Sequence, residues 1–571
     1  MTDANTAHKR PWVDHYPPGV DYFARIDTTP VFERVAMACE TFADRVAFDF
    51  LGAETTYAEF GRQIDAFCGA LQKELGVKRG TRIAFLLPNT PYYAVAYYAT
   101  LKAGATVVNC NPLYTVSELA HILENSGAEL VITLDLKALF EKAEALAGKG
   151  LARKIVVCPF TRVLPGVKAL LFRLAKGRDL AHPARSAFAD RVVHFDNLIA
   201  AGHKPVPVEI DPKQDVAVQQ YTGGTTGLPK GAMLSHANIA ANLSQIDHYG
   251  IGLFKFPAKT IAVLPFFHIF AMTVCLNSPL ANGGEVVMLP RFDLKALLAL
   301  IRRKRPTILP AVPTLLQTIA TSPLSKGHDL SCLEVCISGG AALPDETRAA
   351  FARVSNGILA EGYGLTECSP VVCCAGLRSP SKPMSIGMPL PGTDIRFVDL
   401  EDPTREVPLG ERGELVVKGP QVMLGYYGND AASRESFAEG WLRTGDVGYV
   451  DTDGFSFLVD RIKDIIIVNG FNVYPRTIEE ALTKHPAVLE CTVIGVKDDK
   501  RGEAPMAFVK LVEGQHVTEA DLKSYLTADL SPIEMPREIV FRDHLPKTLI
   551  GKLSKKELKQ EMQDAKARAY E

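Results

Sequence analysis

Short runs of β-forming residues alternate along most of the chain with segments whose apolar residues recur about every 3.6 positions, and this alternation restricts the fold more than any other feature. The runs at 82–87, 129–134, 260–264, 285–289 and 334–338 read as strands. Stretches with helical spacing follow such runs, among them 92–102, 293–303 and 344–354. Strand and helix in this order predict an α/β fold in which helices flank sheets. At 571 residues the chain exceeds what one hydrophobic core usually supports, so two or more domains are expected. No internal repeat and no low-complexity tract interrupts the pattern.

The texture changes near Arg461. Upstream, the stretch GWLRTGDVGYVDTDG at 440–454 is rich in turn formers. Downstream, a helix is expected over 475–484, strands over 492–496 and 506–511, a helix over 519–529 and a strand over 538–541. This compact α+β pattern, about 110 residues long, has the size of a separate C-terminal domain.

Composition excludes several classes. A net charge of -2 leaves no basic footprint for nucleic acid. The 11 cysteines show no C-x-x-C pair, and they read as reduced, partly buried thiols of a cytoplasmic protein rather than as a zinc or disulfide framework. The opening MTDANTAHKRPW lacks the apolar core of a signal peptide, and no apolar run approaches the roughly 20 residues that span a bilayer. Any membrane contact is therefore expected to be peripheral, on the inner face of the cytoplasmic membrane.

The most informative local sequence is Tyr221-Thr-Gly-Gly-Thr-Thr-Gly-Leu-Pro-Lys-Gly231. It follows an expected strand over 216–220 and precedes a helical stretch from His236. Gly223, Gly224 and Gly227 let backbone N–H groups turn toward an anion, Thr222, Thr225 and Thr226 add hydroxyl donors, and Lys230 adds a positive charge. Together they predict a polyphosphate cradle. It is not a Walker A loop, because Lys230 stands between Pro229 and Gly231 rather than before Ser or Thr. The run Glu361-Gly-Tyr-Gly-Leu-Thr-Glu367 imitates a dinucleotide fingerprint, but Glu367 occupies the last glycine position and no strand–helix–strand unit frames it.

On these motifs the chain resembles the adenylate-forming superfamily of acyl-CoA synthetases, luciferases and peptide-synthetase adenylation domains. The resemblance runs from about Phe32 to Lys559. In PFFHIFA (265–271), QVMLGYY (421–427) and GFNVYP (470–475) it leans toward bacterial long-chain fatty acid:CoA ligases. It implies that ATP, Mg²⁺, coenzyme A and a fatty acid are the small-molecule partners. A large multi-sheet N-terminal domain (1–459) would bind ATP and fatty acid, a hinge would lie at 460–464 with Lys463 as its pivot, and a small mobile domain (465–571) would carry the adenylation lysine, Lys552.

The same resemblance assigns site roles. Tyr363 would stack on adenine beside Gly339, Gly340 and Ala341, Thr366 would reach the α-phosphate, and Thr226 and Glu367 would ligate Mg²⁺. One carboxylate suits magnesium, which takes few protein ligands beside waters and phosphate oxygens. Glu361, Gly362, Gly364 and Val459 complete the implied nucleotide site, with Asp446 on the ribose hydroxyls and Arg461 on ribose or phosphate. Read without the family, Asp446 equally caps a turn. Lys552 would face the charge that builds on the transferring phosphoryl and on pyrophosphate. Gly470 and Phe471 would border the CoA channel. The implied catalytic set is Lys552, Thr226, Glu367 and His268.

Other assignments stay open on the residues alone. His268, in an aromatic setting, reads either as a packed core histidine or as a neighbour of the acyl carboxylate. Phe266, Phe267, Phe270 and Met272 read either as core or as the wall of an acyl tunnel. The stretch LPGVKALLFRLAK at 164–176 places Leu164, Val167, Leu171 and Leu174 on one helical face. It is either a membrane-surface helix or a helix packed on the N-terminal domain. A fatty acyl-AMP ligase, an aryl or medium-chain acid:CoA ligase and a silent nucleotide-binding paralogue are the rival functions. A homodimer is compatible with the sequence, and acyl chain length is not legible in it.

Overall fold

The computed structural model describes residues 10–222, 229–377, 382–498, 500–547 and 553–568. The expected alternation forms two large sheets. In the first, of eight strands, Val216–Thr222, Thr106–Asn109, Arg82–Leu86, Leu130–Leu134, Lys154–Cys158 and Val192–His194 run parallel. The second has fourteen strands. Its parallel half includes Glu285–Met288, Lys259–Ala262, Ile308–Ala311, Val335–Gly339 and Ile358–Gly364. From Val371–Ala375 onward the pairing turns antiparallel. Parallel strands covered by helices on both faces bury near-continuous apolar runs, which is why 82–87 and 129–134 read so clearly as strands.

The helix Pro91–Lys102 fastens the two sheets. Thr90 caps it through its hydroxyl, Pro91 starts it, and nearly every residue along it is buried. So many buried tyrosines need partners for their hydroxyls. Tyr93 donates to Asn109 Oδ1 at 2.8 Å and to the Phe266 carbonyl at 3.0 Å, joining one sheet to a turn of the other. Just before the helix, Asn89 donates to the carbonyls of Ala262 and Leu264 and accepts from the Phe266 N–H at 2.7 Å.

A third sheet of five strands holds the C-terminal part. Ile466–Val468, Phe471–Val473, Val488–Asp498, Gly502–Leu511 and Glu538–Phe541 enclose their own apolar cluster with the helices Pro475–Thr483 and Glu519–Leu526. The strands expected at 492–496 and 506–511 are markedly longer. The apolar pattern marked only the middle of the first and the second half of the other, whereas Glu490 opposite Lys510 and Lys497 opposite Glu503 pair opposite charges along the hairpin.

Two further differences matter for function. Between the phosphate loop and the helix His236–Gly250 lies a strand, Lys230–Ser235, that the sequence reading missed. It pairs antiparallel with Val216–Thr222, so the loop closes a hairpin instead of leading straight into a helix. The 164–176 stretch forms the helix Gly166–Lys176 and packs on the domain by one face, while Leu164 is buried ahead of it.

Candidate active site

A cavity of about 1710 Å³ opens at the carboxyl ends of Val335–Gly339 and Ile358–Gly364, where the second sheet changes from parallel to antiparallel pairing. Ligand sites of α/β sheets recur beyond the carboxyl ends of strands, at such changes of topology. Here Gly340, Ala341, Gly362, Tyr363 and Gly364 form the wall. A Cβ added at Gly362 would meet only the Ser338 carbonyl, at 3.9 Å, so space remains for a flat ligand. At Gly364 the fit is tight: a Cβ would stand 2.1 Å from the Pro370 carbonyl oxygen.

Tyr363, Asp446 and Arg461 form one unit. The Tyr363 hydroxyl donates to Asp446 Oδ2 at 2.6 Å, and Arg461 Nε lies 3.0 Å from Asp446 Oδ1. Asp446 and Arg461 face each other across the hairpin Trp441–Val450/Ser456–Arg461. Burial, then the Asp446 charge, pushes the Tyr363 phenol far above its usual range, so it stays protonated and donates. Glu361 is committed elsewhere: it pairs with Arg348 at 2.9 Å and accepts the Leu343 N–H at 3.1 Å, with burial raising its pKa.

At the ends of the two strands that flank the expected phosphate loop, Tyr221, Thr222 and Lys230 line the cavity. Gly223, Gly224, Thr225, Thr226 and Gly227 lie outside the described residues. Thr366 and Glu367 reach the cavity from the short turn Thr366–Cys368. A residue the sequence reading passed over connects the two. The Tyr426 hydroxyl donates to Glu367 Oε1 at 2.7 Å, and the Lys230 ammonium sits over the Tyr426 ring, 5.3 Å from its centre. The only sequence signal was the pair Tyr426–Tyr427 in QVMLGYY. Among the described residues no cluster of three or more His, Cys, Asp or Glu side chains could hold a metal ion by itself. A single carboxylate at the cavity, Glu367, would suit a magnesium ion that arrives with a nucleotide.

The PFFHIFA turn is rigidly held. Gln220 donates to the Phe267 carbonyl at 2.8 Å and accepts from Asn109 at 3.0 Å. His268 Nδ1 accepts the Phe270 N–H at 3.3 Å, which places the ring proton of the neutral histidine on Nε2. Phe267, His268 and Phe270 line the cavity. Phe266 and Met272 do not: both are fully buried in the main core, which corrects their assignment to the tunnel wall. The apolar wall is built instead along the helix His236–Gly250 and opposite it. Ile246, Tyr249, Gly250 and Leu253 face Ile337, Leu377 and Leu390. No local motif marks these residues, because they come together from distant parts of the chain.

The C-terminal part contributes to the same cavity. Lys463 lines it, and burial followed by repulsion from Arg461 holds its ammonium below the ordinary lysine range. Lys552 lies outside the described residues, but Leu553, Ser554 and Lys555 line the cavity, and Lys547 bridges Leu553 at the base of the intervening loop. Lys555 pairs with Glu479 at 2.9 Å, and Lys559 with Asp464 at 3.0 Å.

Four further expected site residues do not line the cavity. Gly339 serves packing: a Cβ there would come within 2.8 Å of the Phe270 ring. Val459 sits between Leu458 and Asp460, which do line the cavity, and strand alternation turns its side chain the other way. Gly470 and Phe471 stand at the tip of the hairpin Ile466–Val468/Phe471–Val473, where Asn469 and Gly470 take positive φ and Phe471 is 61% exposed.

With this geometry in place, the relatives are informative. Residues 35–427 match the model of the AMP-binding enzyme family, and residues 477–552 match that of the AMP-binding enzyme C-terminal domain. The chain belongs to the AMP-binding enzyme family. Within it, the chain is an adenylate-forming acyl-CoA ligase. It is 36% identical over 566 residues to the long-chain-fatty-acid--CoA ligase of Bacillus subtilis, covering 97% of this chain and 98% of that one. It is 33% identical over 533 residues to 4-coumarate--CoA ligase 1 of Oryza sativa subsp. japonica, covering 90% and 88%. ATP-bound MatB from Rhodopseudomonas palustris superposes with a TM-score of 0.82 at 27% identity, covering 94% of this chain and all of that one. No described helix is long and apolar enough to cross a membrane.

Proposed function

We propose that the chain is a long-chain fatty acid:CoA ligase, which forms acyl-AMP and pyrophosphate from Mg-ATP and then passes the acyl group to coenzyme A. One observation carries the choice of acid: besides the residues of the expected nucleotide wall, the cavity is lined by the apolar group Ile246, Gly250, Leu253, Ile337, Leu377 and Leu390. Such a lining suits a hydrocarbon chain, and the one polar side chain grouped with these residues, Tyr249, already donates its hydroxyl to the Cys374 carbonyl at 2.9 Å.

In the first step a carboxylate oxygen attacks the α-phosphorus, and the bond to pyrophosphate breaks. Tyr363 would lie against adenine, and Asp446, fixed by Tyr363 and Arg461, would accept the ribose hydroxyls. His268, which lines the cavity, would meet the carboxylate of the acid. Thr226 and Glu367 would hold the magnesium of the nucleotide, whose charge offsets that of the departing pyrophosphate. Lys552 would face the charge that builds on the transferring phosphoryl and on pyrophosphate. In the second step the CoA thiol attacks the acyl carbon, its proton passes to solvent, and AMP leaves.

Leu553–Lys555 at the cavity and Phe471 in solvent together support an adenylating orientation of the C-terminal part. Rotation about Lys463 would exchange them and bring Gly470 and Phe471 to a pantetheine channel.

Pyrophosphate release across a panel of acids, with and without CoA, tests the reading. Long-chain acids are expected to react best and to yield thioester only with CoA. Preference for coumarate or octanoate would reassign the acid, and adenylate accumulating in the presence of CoA would favour an acyl-AMP ligase. Gly250→Leu would put a side chain between Leu253 and Leu377, each within 3.9 Å of the added Cβ. That variant is expected to raise KM for long acids about tenfold or more while sparing short ones.

Tyr426→Phe keeps the ring beneath Lys230 and removes the hydroxyl from Glu367. The expected result is an activity about tenfold lower at limiting Mg²⁺, partly recovered at high Mg²⁺, as befits a lost hydrogen bond to a charged ligand. A loss independent of Mg²⁺ would assign Tyr426 to the fold alone.

A further inference from the structure

The helix Gly166–Lys176 meets the N-terminal domain by one face only. Ala169 and Phe172 turn inward, with the Phe172 ring edge-on to Phe160 at 5.1 Å. Lys168 Nζ donates to the Leu51 carbonyl at 2.6 Å, and Arg173 Nη2 donates to Thr161 Oγ1 at 3.1 Å. These two cations are thus spent on seating the helix. The opposite face carries Val167, Leu170, Leu171 and Leu174, spaced i, i+3, i+4, i+7 and exposed by 73%, 59%, 58% and 76%. No residue of the helix is buried. Leu164, which the sequence reading placed in this stripe, is buried, and Leu170 takes its place.

Charge decides what covers the stripe. Residues 162–191 hold seven Lys and Arg against Asp179 and Asp190, a formal +5 in a chain whose total is -2. Of these, Lys176, Arg178 and Arg185 are exposed, and their side chains make no ion pair or hydrogen bond with any described residue. A bilayer of anionic phospholipid supplies hydrocarbon and phosphate a few ångströms apart, the complement of both features. The stripe stands outward on a single helix and forms no groove for a peptide.

We propose that this face lies in the interface of an anionic phospholipid bilayer. The helix would run parallel to the surface, its four aliphatic side chains at the acyl boundary and the unpaired cations of the segment against lipid phosphates. The surface does not depend on the ligase reading, because binding can be measured without ATP, acid or CoA.

The test is co-sedimentation of the full chain with vesicles of phosphatidylcholine alone or mixed with phosphatidylglycerol. The protein is expected to bind the mixed vesicles. The double variant Leu170→Glu/Leu174→Glu should weaken that binding about tenfold or more, with an unchanged Tm because these side chains support nothing. Lys176→Glu/Arg178→Glu should weaken binding to the anionic vesicles about tenfold or more and leave any weak binding to phosphatidylcholine as it was. Wild-type protein remaining in the supernatant at every lipid concentration would overturn the proposal. So would double variants that bind as the parent does, or a wild-type dimer that Leu170→Glu/Leu174→Glu separates into monomers without any vesicle binding, which would assign the face to a second copy of the chain.

Discussion

Lys552→Ala is expected to slow acyl-adenylate formation by about 10²- to 10³-fold, while thioester formation from supplied acyl-AMP stays within about threefold of the parent. The reason is where charge develops. Adenylation concentrates negative charge on the α-phosphoryl and on pyrophosphate, whereas thioester formation releases AMP after the pyrophosphate has gone. A cation placed over the phosphates therefore stabilises the first transition state far more than the second. Nearby lysines offer little replacement. Lys555 lines the cavity but is held by Glu479 at 2.9 Å, and Lys559 is held by Asp464 at 3.0 Å. Burial alone would lower the Lys555 pKa, yet Glu479 and Asp460 keep it above the ordinary lysine range, so its charge is already neutralised locally. Stopped-flow measurement of the two half-reactions separates the cases. Equal loss of both would contradict a C-terminal part that changes orientation between them.

Asp446→Ala is expected to lower kcat/KM for ATP by about 10²-fold or more, with the larger share in KM. The carboxylate is nearly buried and ties together Tyr363 at 2.6 Å and Arg461 at 3.0 Å. Its removal would take away the proposed ribose acceptor and leave Tyr363 and Arg461 without the carboxylate that joins them, so two elements of the cavity wall loosen together. Burial and the Asp446 charge together hold the Tyr363 phenol far above its usual pKa. Asp446→Asn keeps the shape and one acceptor oxygen, and it should recover part of the ATP affinity. Equal KM values for ATP in the parent and in Asp446→Ala would place the ribose elsewhere.

Much of this site was legible in the sequence because its chemistry is local. The loop from Tyr221 to Gly231 concentrates glycines, hydroxyls and a lysine within eleven positions, and no packing context is needed to see that it suits an anion. Asp446 and Arg461 were legible as motif residues, though only the hairpin register brings them face to face. Less local features were misread. The polar ends of the strands Val488–Asp498 and Gly502–Leu511 carry no apolar period, so their pairing was visible only as charges opposed across the hairpin. Lys230–Ser235 was too short and too close to a helix to stand out.

The sequence by itself determined the α/β layering, the separate C-terminal texture and the polar end of the cavity, since periodicity and close-spaced chemistry survive in one dimension. Tertiary structure alone decided the rest. It sent Phe266 and Met272 into the core and made the apolar wall of the cavity from Ile246, Gly250, Leu377 and Leu390, which are distant in sequence. It gave Gly339 to the packing of Phe270, brought Tyr426 to Glu367, and chose which face of Gly166–Lys176 meets solvent. The physical reason is the same in each case. An apolar side chain looks alike in sequence whether it fills a core, lines a tunnel or faces a bilayer, and only the surfaces folded against it settle which of these it does.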